Sequence, residues 1–303
     1  MRSITMILMV LVIAVFASGC GVVPDTPDAV KLYNKAGVDP NSWALVPTGE
    51  FLQGQFNKST TIDYDYEIMV TNVTNYQYAR YLEEVLAAGE IEIENGNIYG
   101  YYPGDEFEDG KHEEKIEEGY YLHMPLEDLA TRITYDGTSF YVKDGYENHP
   151  VTMVSWFGAK AYADFFNYRL PTGLEWEKAA RGTDDRPYPW GDELTKYNAN
   201  YYHSGDPFET NNGYSDTTPV GFYNGQKYGD FQTFDSPSPY GLYDMAGNVA
   251  DWTGEKHYKV HYRYMRGGNS GSYGIDTRIW KDNSSHPEYV SPSVGFRCIR
   301  EPQ

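Results

Sequence analysis

Tyr240-Gly241-Leu242-Tyr243-Asp244-Met245-Ala246-Gly247-Asn248-Val249-Ala250-Asp251-Trp252 is the stretch on which the fold turns. Gly, Asn and Asp recur among its apolar residues, and these are the residues that tolerate tight turns. Asp244 and Asp251 stand seven apart around a Gly turn. From residue 182 onward the chain keeps this character, rich in Gly, Pro, Asn, Asp and Tyr, and reads as long ordered loops with short strands. Before residue 182, three helices carry start signals. Thr74 and Gln77 form a capping box ahead of a stripe of Tyr78, Tyr81, Leu82, Val85 and Leu86. Ser155 can cap a helix whose apolar face is Trp156, Ala159, Ala163 and Phe166. Thr172 and Glu175 follow Pro171 as another capping box. With neither a second linker nor an internal repeat, residues 43–303 read as one loop-rich α+β domain.

Composition narrows the function. Among 303 residues, 24 Lys+Arg face 44 Asp+Glu, a net charge of −20. Nucleic-acid partners are excluded, because phosphate contacts need clustered cations. Passive docking on an anionic membrane surface is excluded for the same reason. Glu90 to Glu118 holds eleven carboxylates against Lys111 and Lys115. This insertion, about 90–119, reads as a solvated acidic loop, with a cation- or partner-binding flap as the alternative. Tyr is abundant, at 30 residues, and suits cores and binding surfaces alike. Two Cys cannot build a disulfide scaffold.

The N-terminus reads as an address. Arg2 precedes an apolar run from Ile4 to Phe16, too short to span a bilayer comfortably. Residues 1–19 thus read as a secretory signal. Ala17-Ser18-Gly19-Cys20 resembles the bacterial lipobox, in which the Cys is acylated and becomes residue one. A lipid on Cys20 would anchor the protein to a membrane of the bacterial cell envelope, outside the cytoplasm. An ordinary signal peptide that happens to end at a Cys is the alternative. Residues 20–42, punctuated by Pro24, Pro27 and Pro40, read as a lipidated tether.

Further blocks carry a resemblance. His149-Pro150-Val151-Thr152-Met153-Val154-Ser155-Trp156 precedes Arg169-Leu170-Pro171-Thr172 and Glu175-Trp176-Glu177-Lys178-Ala179-Ala180-Arg181-Gly182. Pro189-Trp190-Gly191 follows, then the 240–252 stretch, Arg266-Gly267-Gly268, and Gly295-Phe296-Arg297-Cys298. Together they resemble the formylglycine-generating enzyme, or sulfatase-modifying-factor, family over about residues 43–300. The resemblance implies a variant of the C-type-lectin fold with little regular secondary structure. Family enzymes oxidise a substrate Cys with a copper-binding Cys pair five residues apart, shortly after Gly-Gly. Here Ser272 and Thr277 stand at those positions, Asn269 replaces a usual Ser, and Cys298 matches the terminal Gly-Phe-Arg-Cys instead. Hydroxyls are not the soft ligands that copper(I) needs, so no copper cofactor is expected. The histidine-rich helical domain of the related sulfoxide synthases is absent. His257 and His261, four apart, read as polar residues of an exposed strand, with a metal pair as the alternative.

The resemblance also implies structural Ca²⁺. A first loop would use Asp244, the carbonyls of Gly247 and Val249, and Asp251, where Glu is usual. A second would use Asn200, the carbonyl of Tyr201, Asn212, and the carbonyl of Tyr214. The alternative is that these residues cap turns without metal. The groove after Gly-Gly carries Asn269, Ser270, Ser272, Tyr273, Asp276, Thr277, Arg278, Trp280, Asp282, Asn283 and His286. Small polar residues interleaved with aromatics resemble evolved paratopes. The leading expectation is a non-catalytic envelope lipoprotein that binds an unidentified ligand or partner protein in that groove. A structural scaffold subunit of an envelope assembly is the second reading. Formylglycine formation or another oxidoreductase activity is the third.

Overall fold

The structure is a computed structural model that describes residues 28–105, 116–209, 216–257 and 261–303. Cys20, the signal segment and the first part of the tether lie outside the described residues. Among the described residues no helix is long and apolar enough to cross a membrane.

The three expected helices begin at their caps. In Asn75–Ala88, Thr74 accepts the Gln77 N–H, and the Gln77 carboxamide accepts the Thr74 N–H at 2.9 Å. The helix closes at Gly89, whose φ of 74° is left-handed. Ser155 caps Trp156–Phe165, and the Thr172–Glu175 box caps Gly173–Arg181. Tyr78, Tyr81 and Tyr162 meet across the first two helices with ring centroids 5.1–5.8 Å apart. That aromatic contact anchors a core that extends to Trp252, Phe296 and Cys298. A second core packs Tyr66, Trp176, Leu242 and Met245.

A four-stranded sheet positions the site. Its order across is Asp282–Ser285, Arg263–Arg266, Ala250–Lys256 and Val294–Gly295. Trp252 pairs with Met265, and Met265 with Asn283, so these three form one row.

Two boundaries differ from expectation. Residues 28–42 are not all tether, because the chain is already docked there. Val30 is fully buried with Tyr146, Phe208 and Phe222, and the Gly37 N–H donates to the Val220 carbonyl at 2.8 Å. The short helix Asp28–Tyr33 makes this contact, with Ala29 and Tyr33 packed beside Val30. The acidic insertion is also not simply a loop. Ile91–Glu94, Asn97–Tyr102 and Gly119–Pro125 form an antiparallel sheet. Asn95 and Gly96 both have positive φ, 49° and 72°, as a tight hairpin turn requires. Tyr102 and Tyr121 pack on Phe157 at 5.0 and 4.3 Å, while Glu92, Glu94, Glu117 and Glu118 are exposed. Residues 106–115 of the insertion lie outside the described residues.

Candidate functional site

The 244–252 stretch works as a junction. Asp244, Gly247 and Asn248 all have positive φ, at 57°, 83° and 59°. A side chain at position 247 would place its Cβ 2.2 Å from the Asn200 carbonyl oxygen, so only Gly fits. The Gly247 N–H donates to the Gly267 carbonyl and the Asn248 N–H to the Asn200 carbonyl, both at 2.8 Å. The Asn248 carboxamide pairs with both backbone groups of Thr218. The Asn248 carbonyl accepts the Ser270 N–H at 3.0 Å, which fixes the segment that follows Gly-Gly.

That segment and the edge of the sheet enclose a cleft of about 530 Å³. Its floor is Ala250, Met265 and Val294. One wall is the turn carrying Asn269, Ser272 and Asp276. The other is the edge strand, with Asp282, Asn283, Ser284 and Ser285, continued by Tyr289, Ser291 and Ser293. The Ser272 hydroxyl accepts the Asn269 N–H at 3.1 Å, and Asn269 Oδ1 accepts the Gly271 N–H at 2.9 Å. The lining offers hydroxyls, amides, Lys281 and two carboxylates, but no thiol.

Five of the expected groove residues therefore converge: Asn269, Ser272, Asp276, Asp282 and Asn283. Six do not line it. Thr277 is fully buried and its hydroxyl donates to the Gly274 carbonyl at 2.9 Å, because the Gly274–Thr277 3₁₀ turn points it inward. Ser270 is also buried. Tyr273 points outward, 66% exposed, edge-on to Tyr202 at 5.2 Å. Arg278 and Arg181 both sit over Trp280, at 5.6 and 5.2 Å, which commits all three to packing. His286 is exposed beside Glu288. Missing from the expectation were Lys281 and the hydroxyls of Ser284, Ser285, Ser291 and Ser293. Their only sequence signal is a cluster of Ser around the edge strand.

The expected calcium ligands are placed as follows. Asp251 turns into the core. Its Oδ1 accepts from Asn72 at 2.5 Å, and its Oδ2 accepts from Trp176 Nε1 and Arg297 Nε, both at 2.8 Å. Arg297, fully buried, donates its other N–H groups to the carbonyls of Met69, Val70, Tyr243 and Asp244, at 2.9–3.3 Å. A guanidinium thus neutralises Asp251, which corrects the expectation that this carboxylate faces a metal. Asp244 accepts the Gly221 N–H at 2.7 Å, and burial pushes its carboxyl up to about 6. Of the first calcium set, the Asp251 carboxylate is thus engaged by Arg297, Trp176 and Asn72, and the Asp244 carboxylate by the Gly221 N–H. In the second set the Asn200 side chain donates to the Asp216 carbonyl and the Tyr201 carbonyl accepts the Ser204 N–H. Asn212 and Tyr214 lie outside the described residues. Among the described residues no three His, Cys, Asp or Glu side chains converge on a metal position. The His257 ring packs on Tyr264 at 5.2 Å.

The sulfatase-modifying factor enzyme 1-like domain matches residues 31–302. The chain belongs to that family. The formylglycine-generating enzyme of Streptomyces coelicolor is 34% identical over 182 residues, which cover 52% of this chain and 54% of the enzyme. A serine/threonine-protein kinase pkn1 of Chlamydia caviae is 34% identical over 189 residues, 56% of this chain and 27% of the kinase. This sulfatase-modifying-factor domain therefore spans about half or less of the curated relatives it matches. PvdO of Pseudomonas aeruginosa superposes with a TM-score of 0.55 at 20% identity, covering 88% of this chain and 97% of that one. Its likeness concerns fold alone and agrees with the loop-rich α+β architecture described above.

Proposed function

We propose that this sulfatase-modifying-factor domain is a non-catalytic binding module, held at a bacterial cell envelope by a lipid on Cys20. Its cleft beside Gly267-Gly268 takes a ligand or partner protein. The observation that carries this reading is the chemistry of the cleft, which is lined by hydroxyls, amides and carboxylates and no thiol; the resemblance places Ser272 and the buried Thr277 where the family's oxidising members hold thiols. The chain's other Cys, Cys298, is fully buried in the first core, and burial pushes its thiol well above the ordinary range. Two soft ligands are therefore lacking for copper chemistry. Structural calcium near Asp244 belongs to the same proposal. A loop-rich domain without disulfides gains stability from any ion that binds the folded state alone.

One feature favours a protein partner over a small ligand, and with it a scaffold role. The cleft wall Asp282–Ser285 is an edge strand of its sheet, and edge strands pair readily with an added chain. The test is recovery of partners from native envelope on the intact protein and on Asn283→Arg, which fills the cleft. A partner retained by the parent and lost by the variant is the expected result. Equal recovery on both would remove the cleft from the function. Formylglycine formation on a Cys-containing sulfatase peptide with copper should be absent, and turnover there would overturn the non-catalytic reading.

A further inference from the structure

The acidic insertion builds one side of a second cavity, of about 620 Å³, that shares no residue with the cleft. It opens where the insertion strands meet the helices Asn75–Ala88 and Trp156–Phe165. Tyr81 and Phe165 meet there edge-to-face at 5.4 Å. Tyr101 and Tyr120 stand beside them as an exposed pair at 6.0 Å. The charged groups lining it are Glu90 and Asp164, with no Lys or Arg among the described lining residues. Lys160 reaches Asp164 from outside the lining, at 2.6 Å.

His123 completes the lining. Ile98 pairs with Met124 but Tyr99 pairs with Leu122, so His123 is the extra residue of a β-bulge, a device that re-aims a side chain. Its ring lies over Gly100, where a Cβ would sit 2.2 Å from His123 Cε1. His123 is only 2% exposed and its Nδ1 has no hydrogen-bond partner. Burial lowers its pKa to about 4, so the ring is neutral, with one of its two nitrogens an acceptor. A buried ring nitrogen left unpaired is costly, and such groups in folded proteins call for a partner.

We propose that this cavity binds an organic cation, an ammonium or guanidinium group. Aromatic faces attract a cation through their quadrupoles. Glu90 and Asp164 supply the opposite charge, and His123 accepts an N–H. An anion would be repelled by both carboxylates, whereas a cation would meet Glu90 directly and Asp164 in competition with Lys160.

The test is calorimetric titration of the full chain with agmatine and with 1,5-diaminopentane. 1-Pentanol and calcium chloride serve as controls. Both amines should bind saturably and pentanol should not. The Glu90→Gln/Asp164→Asn double variant changes exposed side chains and should fold. It should weaken amine binding by at least about tenfold. Lys160→Ala frees Asp164 and should strengthen binding, which a merely structural ion pair would not do. His123→Phe removes the acceptor; should that variant fail to fold, the carboxylate variants still decide. An amidated tripeptide carrying Lys or Arg that binds tighter than the free amines would identify a partner's basic side chain as the ligand. Free amines binding as tightly or tighter would identify a diffusible amine. The proposal is overturned if no amine saturates below a Kd of about 1 mM, if the double variant binds unchanged, or if calcium alone gives the carboxylate-dependent signal.

Discussion

Asp251→Ala tests the junction most severely. The substitution removes the counter-charge of the fully buried Arg297 and leaves Trp176 Nε1 and Asn72 Nδ2 without their acceptor. Removing one partner of a buried ion pair costs about 3–5 kcal/mol, because the remaining charge cannot be hydrated. Each orphaned neutral donor adds about 1–3 kcal/mol in isolation. The three groups share one cavity, so their losses do not add fully. A total of about 4–6 kcal/mol is expected, or roughly 10–20 °C in melting temperature for a domain of this size. The assay is calorimetric and urea unfolding, each run with calcium and with a chelator. If Arg297 is the cation that Asp251 serves, the loss is the same in both buffers. Arg297→Met in the Asp251→Ala background should then recover part of the stability, since no lone charge remains. A loss confined to calcium, or a double variant as unstable as the single one, would refute the assignment and return Asp251 to a metal.

Other positions give independent outcomes. His149 is fully buried and its pKa is lowered to about 4 by burial, against 6.5 when unfolded. The unfolded chain therefore binds more protons between those values, and this histidine's contribution is present above pH 6.5 and lost as pH falls towards 4. His149→Asn should flatten the pH dependence of urea unfolding in that window by about 3 kcal/mol, corresponding to roughly two and a half pH units; an unchanged slope would contradict it. Gly247→Ala meets a positive φ of 83° and the Asn200 carbonyl at 2.2 Å, and should destabilise by at least about 2 kcal/mol in the same assay. Thr172→Ala removes the cap of Gly173–Arg181 and should cost about 1 kcal/mol, with no effect on the pH profile. Chelation of calcium from the parent protein should lower its melting temperature modestly, through Asp244 and not through Asp251. Asp244→Asn should abolish that difference.

What was legible in the sequence follows the range of the interaction. Thr74 and Gln77, or Thr172 and Glu175, meet within three residues, and each pair caps a helix as its spacing implies. Asp251 is the opposite case. Its partners lie 46, 75 and 179 positions away, so a local reading could see only a second carboxylate beyond a Gly turn and give it to calcium. The same range separates the groove residues. Asn269 and Ser272 stay in the cleft because they bond each other across one turn, whereas Thr277 is carried inward by the next. The cleft's far wall comes from the edge strand Asp282–Ser285. Its register is set by the neighbouring strand, which places Arg266 opposite Asp282 and Arg263 opposite Ser285, and no local pattern announces that pairing. The insertion was masked in another way. Its charge count suggested solvent, yet the alternation Ile91-Glu92-Ile93-Glu94 and the Asn95-Gly96 turn already describe a hairpin with one wet face. Net charge sums over both faces of a strand; burial depends on one. A strongly acidic segment can therefore fold against aromatic helices and still present its carboxylates, and at the second cavity it adds Glu90, Tyr101 and Tyr120 to the helices' Tyr81, Asp164 and Phe165.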